Sequence, residues 1–252
     1  MLRAGSIARI TRRLSSKTHY SPQPTLAPAV GQGGFFELRT DEVLPSELST
    51  YLDAQNSTAH EKQKLLPGWI GAWKTELGGS VHTVQHLYHH SSYDERDRMS
   101  MDAERERVAS TDAAAFLEAT DVLHSCGLPG AAGFAPPPDT GGRIAWELRS
   151  YQLILGYTSV PRFLELYSAG LKDKLAADDS GASQLATLLY SDCGPLNVVH
   201  ELWRHESMQR AQDSRVASRK AAKWKEAIGE IASLTTSFKT RYMRPLLNSP
   251  WR

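Results

Sequence analysis

The chain has 252 residues, of which 40% are hydrophobic and 23% are charged, and its net charge is +1. This is an ordinary globular composition, with room for one large domain or two small ones. Residues 1–34 include five basic and no acidic side chains, which leaves 24 basic against 28 acidic side chains in the rest. A mildly acidic body argues against general nucleic-acid binding, and no stretch approaches the roughly 20 apolar residues that cross a bilayer.

The N-terminal segment is typical of a mitochondrial presequence. Residues 1–20 carry Arg3, Arg9, Arg12 and Arg13 between apolar residues, with several serines and no acid. An amphipathic, Arg-rich and acid-poor segment is the pattern of an organelle transit peptide, and cleavage near Leu14 or Ser15 is predicted. The alternative is an uncleaved basic arm that binds an acidic partner. Residues 21–34, rich in Pro and Gly, are predicted to be a linker.

Residues 35–138 are predicted to form a first module. The segment 36–40 alternates as a strand does, Pro45 opens a helix, and 69–76 with 81–90 form a hairpin around a Gly-Gly turn. A second helix is expected from Thr111 or Asp112 to about Leu123, with a last strand at 132–136. A Gly- and Pro-rich break at 127–142 ends the module.

Residues 143–252 are predicted to repeat the same order. A strand at 144–155 is followed by a helix from Ser159, with apolar residues every four positions. A hairpin of 185–191 and 197–205, a helix with a buried stripe through Trp224, and a strand at 239–246 complete the module.

Two matches between the modules indicate a duplication. The segment 36–40 resembles 146–150 at an offset of 110 in sequence number, and 84–90 resembles 199–205 at an offset of 115. The order β-α-β-β-α-β, present twice, predicts an α+β fold of tandem ferredoxin-like modules. Each antiparallel sheet needs cover on the face that its helices leave open, so the two sheets are expected to pack against each other as in dimeric α+β barrels. Pairing of each module with another subunit is the alternative.

Several segments resemble the NIPSNAP family over roughly residues 35–250. They include Glu-Leu-Arg first strands, the helix segment 163–167 and the hairpin segment 194–203, together with Ser207, Arg210 and Arg215. Module one departs from the pattern, with Gln85 at the position of His200, Tyr88 at that of Trp203, and Phe116 roughly at that of Trp224. The resemblance implies a mostly mitochondrial protein linked to mitochondrial quality control, with no established catalytic residues. Any binding role is therefore expected in module two.

Histidines crowd the third strand, but their spacing does not favour a metal site. His82, His86 and His90 share one strand face, where neighbours four residues apart are separated by about 13 Å. A zinc ion binds its ligands at about 2 Å, so a polar strand face is the preferred interpretation. The two cysteines lack metal or redox spacing, and no nucleophile elbow or phosphate-binding loop occurs. No cofactor is predicted.

A second cluster is the better candidate for a binding site. Glu201, Trp203 and His205 share one strand face, and Arg149 lies on the strand expected beside it. If this face lines the barrel, an acid, an aromatic ring and an imidazole converge on a cavity. The alternative is that Trp203 belongs to the core and Glu201 pairs with Arg149 across the sheet.

The leading hypothesis is a non-enzymatic mitochondrial scaffold, in the matrix or on the matrix side of the inner membrane. Its expected partners are other mitochondrial proteins, for example as an accessory subunit of a respiratory-chain type assembly. Peripheral membrane association and a homo-oligomer stay open. The alternative is a ligand-binding or oxidoreductase-like barrel that uses a cavity near Glu201, Trp203 and His205.

Overall fold

The computed structural model describes residues 34–107, 116–125, 143–178 and 180–252. The predicted presequence, nearly all of the linker and the break between the modules lie outside these ranges. The division at 138 and 143 therefore stays a prediction. Among the described helices, none is long and apolar enough to cross a membrane.

The described residues of the first half, called module one, form four strands and three α-helices. The strands are β1 (Phe35–Val43), β2 (Trp69–Leu77), β3 (Thr83–His90) and β4 (Phe116–Ser125). A 3₁₀ turn (Pro45–Glu47), α1 (Leu48–Ser57) and α2 (Ala59–Leu65) connect β1 to β2, and α3 (Tyr93–Arg107) follows β3.

The second half, module two, repeats this order. Its strands are β5 (Ala145–Leu153), β6 (Ser183–Cys193), β7 (Val198–His205) and β8 (Thr235–Pro245). The helix α4 (Ser159–Ala177) connects β5 to β6, while α5 (Met208–Ser218) and α6 (Ala222–Leu234) connect β7 to β8.

The eight strands close into one antiparallel barrel in the order β1-β3-β2-β8-β5-β7-β6-β4. Each half has the strand order of a ferredoxin-like sheet, and the halves join at β2–β8 and at β4–β6. The predicted α+β fold of tandem βαββαβ modules in a dimeric-barrel arrangement is therefore confirmed.

Three apolar clusters show how the barrel is packed. The interior cluster joins both modules and includes Trp73, Trp146 and Leu202. The outer face of module two is buried under α4 and α6, and the outer face of module one is buried under α1 and α2. The helices therefore lie outside a side-chain-filled barrel.

The same irregularity occurs in both modules. The pairing of β2 with β3 shifts by one residue between Trp69 and Gly71, and that of β6 with β7 shifts between Leu185 and Thr187. These are β-bulges at equivalent positions. They add structural support to the duplication.

The second half of module one differs from the prediction. The segment expected to be a helix from 111 to 123 contains strand β4, while the helix is α3, formed by the charged segment 93–107. Barrel closure requires a strand between β1 and β6, and Leu123 of β4 is fully buried in the interior. The match of Phe116 to Trp224 is consequently wrong, and the strand expected at 132–136 lies outside the described residues.

Helix α5 was not predicted. Ser207 is its N-cap and accepts a hydrogen bond from the backbone N–H of Arg210 at 3.1 Å. Its apolar stripe is short, because only Ala211, Ser214 and Ser218 are buried. Periodicity therefore gave little signal for this helix.

Candidate functional site

The predicted site residues lie together, but they do not line the barrel interior. Arg149 Nη1 lies 3.5 Å from Glu201 Oε2, and the indole N–H of Trp203 donates to the same oxygen at 2.5 Å. The ring of His205 stacks on that of Trp203 at a centroid distance of 6.3 Å. Trp203 packs in the cluster under α4 and α6, so the face points outward to the helices. The condition that this face lines the barrel is thus not met, because the apolar side chains on the opposite strand faces fill the interior.

The barrel interior itself is closely packed. A void of about 10 Å³ remains among apolar side chains such as Leu38, Leu148 and Leu202. That volume holds about one water molecule.

Glu147, which was not singled out from the sequence, is the centre of the outward cluster. Its carboxylate accepts hydrogen bonds from Arg149 Nη2 at 2.8 Å, from Thr240 at 2.8 Å and from Arg215. His205 Nε2 lies 3.3 Å away. Burial alone raises the pKa of Glu147, but His205 and the two guanidinium groups overcome it and hold the pKa far below its usual range. Burial lowers the pKa of His205, which is therefore neutral at pH 7.

Glu201 holds the second buried carboxylate of the cluster. Burial of Tyr151 and Tyr167 raises their pKa values well above 10, and the negative charge of Glu201 raises them further. Both hydroxyls therefore stay protonated. The Tyr167 hydroxyl is thus near Glu201, but it reaches no acceptor with the distance and angle of a hydrogen bond among the described residues. Glu201 Oε1 likewise accepts no such bond.

Lys174 of α4 completes the cluster. Its ammonium group lies 3.7 Å from the ring centroid of Trp203 and 4.4 Å from that of Trp224. It is 4% exposed, and Nζ makes no hydrogen bond within the described part of the chain. Burial and, next, the nearby Arg149 charge lower the pKa of Lys174 to about 7. A strongly perturbed buried amine is a marker of functional sites, although ion networks can produce it too.

Module one has a related but different cluster at the equivalent positions. Glu37, the counterpart of Glu147, lies 3.2 Å from His90 Nε2 and accepts a hydrogen bond from Arg96 Nε at 3.0 Å. Burial would raise the pKa of Glu37, but His90 and Arg96 lower it to about 2. The carboxylate is therefore ionised at neutral pH.

A second network in module one surrounds His86. Its Nε2 atom lies 2.9 Å from the Tyr51 hydroxyl and 3.3 Å from Asp41, and Lys62 donates to Nδ1 at 3.1 Å. Burial and the charge of Lys62 lower the pKa of His86 to about 3. His86 and His90 therefore contact charged or polar side chains of this same chain. No group of three or more metal-binding side chains occurs within the described ranges.

Sequence reasoning missed Glu147, Lys174 and Tyr167. Glu147 belongs to the repeated segment 146–150, so its counterpart Glu37 was already visible in the first of the two internal matches. Lys174 and Tyr167 repeat Lys62 and Gln55 at an offset of 112 in sequence number. Extending the internal comparison along the helix would have found this lysine pair.

An apolar loop lies at one end of module two, formed by residues 154–157 together with Leu196. Tyr157 is fully exposed and Leu155 is 83% exposed. The Asn197 side chain donates to the carbonyls of Ile154 at 2.9 Å and Gly156 at 3.0 Å, from a left-handed backbone with φ 58°. The loop is thus held in place although its apolar side chains face solvent.

Known proteins resemble this chain in sequence and in fold. Mouse NipSnap homolog 3B is 26% identical and human NipSnap homolog 3A 25% identical; the first alignment covers 99% of this chain and 98% of the relative, the second 96% of both. A putative monooxygenase from Lactobacillus acidophilus NCFM shares the fold with a TM-score of 0.57 and 11% identity, over 85% of this chain and 94% of that one. An anthrone oxidase-like protein shares the fold with a TM-score of 0.59 and 10% identity, over 87% of this chain and 93% of that one.

At identities this low, the two solved structures establish the fold alone. The family comparison is more specific, because the NIPSNAP family model matches residues 146–250, which is nearly all of module two. Both relatives extend the similarity through module one. The resemblance to the NIPSNAP family that the motifs indicated is confirmed, because the family model matches module two and both NipSnap relatives align along nearly the whole chain.

Proposed function

We propose that this protein is a mitochondrial interaction protein that docks onto a partner protein through the apolar loop of module two. The observation that carries this proposal is the exposure of Leu155 and Tyr157 on a loop whose backbone is fixed. Large apolar side chains in such a position mark interaction sites, and a preorganised loop loses little entropy on binding.

The proposal places the protein in the matrix or on the matrix side of the inner membrane, as an accessory subunit of a larger assembly. The basic N-terminal segment and the NipSnap relatives support this location. Module one supports the choice of loop indirectly, since its equivalent loop exposes only Leu44 and Val81, which are about half exposed. One end of the molecule is therefore better suited to a partner than its counterpart.

Loss of the apolar loop should release the protein from its assembly. The variant L155S/Y157S removes exposed side chains, so its folding stability should change by less than about 0.5 kcal/mol. On native gels of mitochondria, the wild type should migrate in a large species and the variant as a free protein. The matched control is L44S/V81S in module one, which should stay in the large species.

The docking proposal fails if the wild type occurs only as a free species or if L155S/Y157S remains assembled. N-terminal sequencing of the same mitochondrial protein tests targeting separately. A mature terminus near Leu14 supports import with cleavage, whereas an intact Met1 supports the basic-arm alternative.

A second candidate function is a ligand-binding or oxidoreductase-like barrel. It is favoured by the buried charges around Glu147 and Glu201, and by two proteins of the same fold whose names refer to a monooxygenase and an anthrone oxidase. Haem or flavin absorption in the purified protein would support this function. A colourless protein without bound ligand in native mass spectrometry would count against it.

A further inference from the structure

The two modules place a lysine in equivalent surroundings but satisfy it differently. In module one, Lys62 Nζ donates to Gln55 Oε1 at 3.1 Å and lies 3.1 Å from His86 Nδ1. Lys62 and Gln55 correspond to Lys174 and Tyr167 in module two, at an offset of 112 in sequence number, and His86 corresponds to Glu201 at an offset of 115. The trio of module one, Lys62, Gln55 and His86, is therefore joined by hydrogen bonds among its own members.

The corresponding trio of module two, Lys174, Tyr167 and Glu201, is not joined by such hydrogen bonds. Lys174 Nζ, the Tyr167 hydroxyl and Glu201 Oε1 are all buried, and none makes a hydrogen bond of normal geometry in the described part of the chain. All three residues are more than nine-tenths buried. Buried polar groups are paired in nearly all native structures, so three unpaired ones in a single cluster point to a guest that the chain itself does not supply.

The charges of the cluster define the guest further. Arg149, Lys174 and Arg215 are opposed by two carboxylates, Glu147 and Glu201, which leaves one excess positive charge when Lys174 is protonated. A monoanion would balance this charge and accept hydrogen bonds from Nζ and the phenol. A hydroxyl on the same molecule would donate to Glu201 Oε1.

We propose that Tyr167, Lys174 and Glu201 form a binding site for a small hydroxylated monoanion, of the hydroxycarboxylate or hydrogencarbonate type. The rings of Trp203 and Trp224 flank the ammonium group and restrict the guest to a few heavy atoms. This site lies under α4, away from the apolar loop, and does not depend on the docking function.

Anion titration of the full chain at pH 7 and constant ionic strength tests the site. Glycolate and sodium hydrogencarbonate are the two probes, acetate lacks the hydroxyl that would reach Glu201, and chloride is the control. We expect at least one probe to raise the melting temperature and to bind in calorimetry at least several-fold more tightly than acetate. If neither exceeds chloride, the trio holds only water and the proposal is overturned.

Two lysine variants locate the site. Lys174→Met removes an unpaired buried amine, so the free protein should melt higher while its response to glycolate or hydrogencarbonate disappears. The matched control Lys62→Met leaves Gln55 and His86 without their partner, so it should melt lower but keep the anion response.

Tyr167→Phe provides a second readout in case Lys174→Met folds poorly. It keeps the ring and should weaken binding of the better probe several-fold. Retention of the full anion response in either Lys174→Met or Tyr167→Phe would overturn the assignment.

Discussion

Lys174 couples the stability of the folded chain to alkaline pH. Its pKa falls from 10.5 to about 7 on folding. Between these values the unfolded chain binds a proton that the folded chain has released, so the free energy of unfolding rises with pH across this window. The cost of the buried charge is fully present below pH 7. Burial lowers this pKa most; among the charged groups, Arg149 and Arg215 lower it further, whereas Glu201 and Glu147 raise it.

Lys174→Met should flatten this pH dependence. Denaturant unfolding of the wild type between pH 7 and 9.5 should show a rise of up to about 1.4 kcal/mol per pH unit, and the variant a smaller slope. The range stops at 9.5 because unfolded tyrosines begin to titrate above it. Lys172→Met, an exposed lysine on the same helix, should behave like the wild type. Equal slopes for Lys174→Met and the wild type would contradict the buried charge.

Part of the candidate site could be predicted from residue spacing. The period of two along a strand correctly grouped Glu201, Trp203 and His205, and the matching strands placed Arg149 beside them. The same period cannot tell which face points to the helices, because both faces of β7 are buried. Lys174 was missed because a lysine on a helix is normally solvated, and its burial depends on where α6 brings Trp224.

At the scale of the helices, α4 and α6 pack closely because Gly170 of α4 has no side-chain methyl group. A Cβ at Gly170 would lie 2.8 Å from the Cβ of Ala227 and 3.1 Å from the backbone of Trp224. Gly170→Ala should therefore destabilise the chain by about 1–3 kcal/mol in denaturant unfolding, because two packed helices must separate.

Gly229→Ala is the matched control on α6. A Cβ there meets no atom within 4 Å, and alanine is the better helix former by about 1 kcal/mol. This variant should be as stable as the wild type or more so. A neutral effect of Gly170→Ala would show that the helices can move apart freely.

The strands were easier to predict than the helices of module one. Seven of the eight strands overlap the predicted segments, since alternation and Gly turns mark them locally. β4 is the exception. It is fixed as a strand by β1 and β6, which are distant in sequence, and this long-range pairing leaves no local signal. The charged segment of α3 lacks an apolar stripe, so its periodicity predicted no buried face.

At the scale of the whole molecule, each module covers the interior face of the other module's sheet. Module two alone would expose the interior face of its sheet, including Trp146, Leu148 and Leu202. Its outer strands β6 and β8 would lose their partners β4 and β2. Both defects are repaired if two copies of the module close one barrel.

Residues 143–252 expressed alone should therefore form a dimer with native-like circular dichroism. Light scattering after size-exclusion chromatography measures the mass directly, and the full chain gives the reference spectrum. A folded monomer of this fragment would contradict the interdependence of the two half-barrels.

The bulges in β2 and β6 change which residues of each strand point into the barrel. Both modules must preserve this change to keep their core residues inside. At each bulge Ile70 and Ala186 point inward, and three residues further on Trp73 and Leu189 do, an odd separation that a regular strand does not permit. Deleting one bulge residue would regularise the ladder and exchange inward for outward residues along half the strand. Sequence comparisons that close this position with a gap would thus align core residues of one protein with helix-facing residues of another.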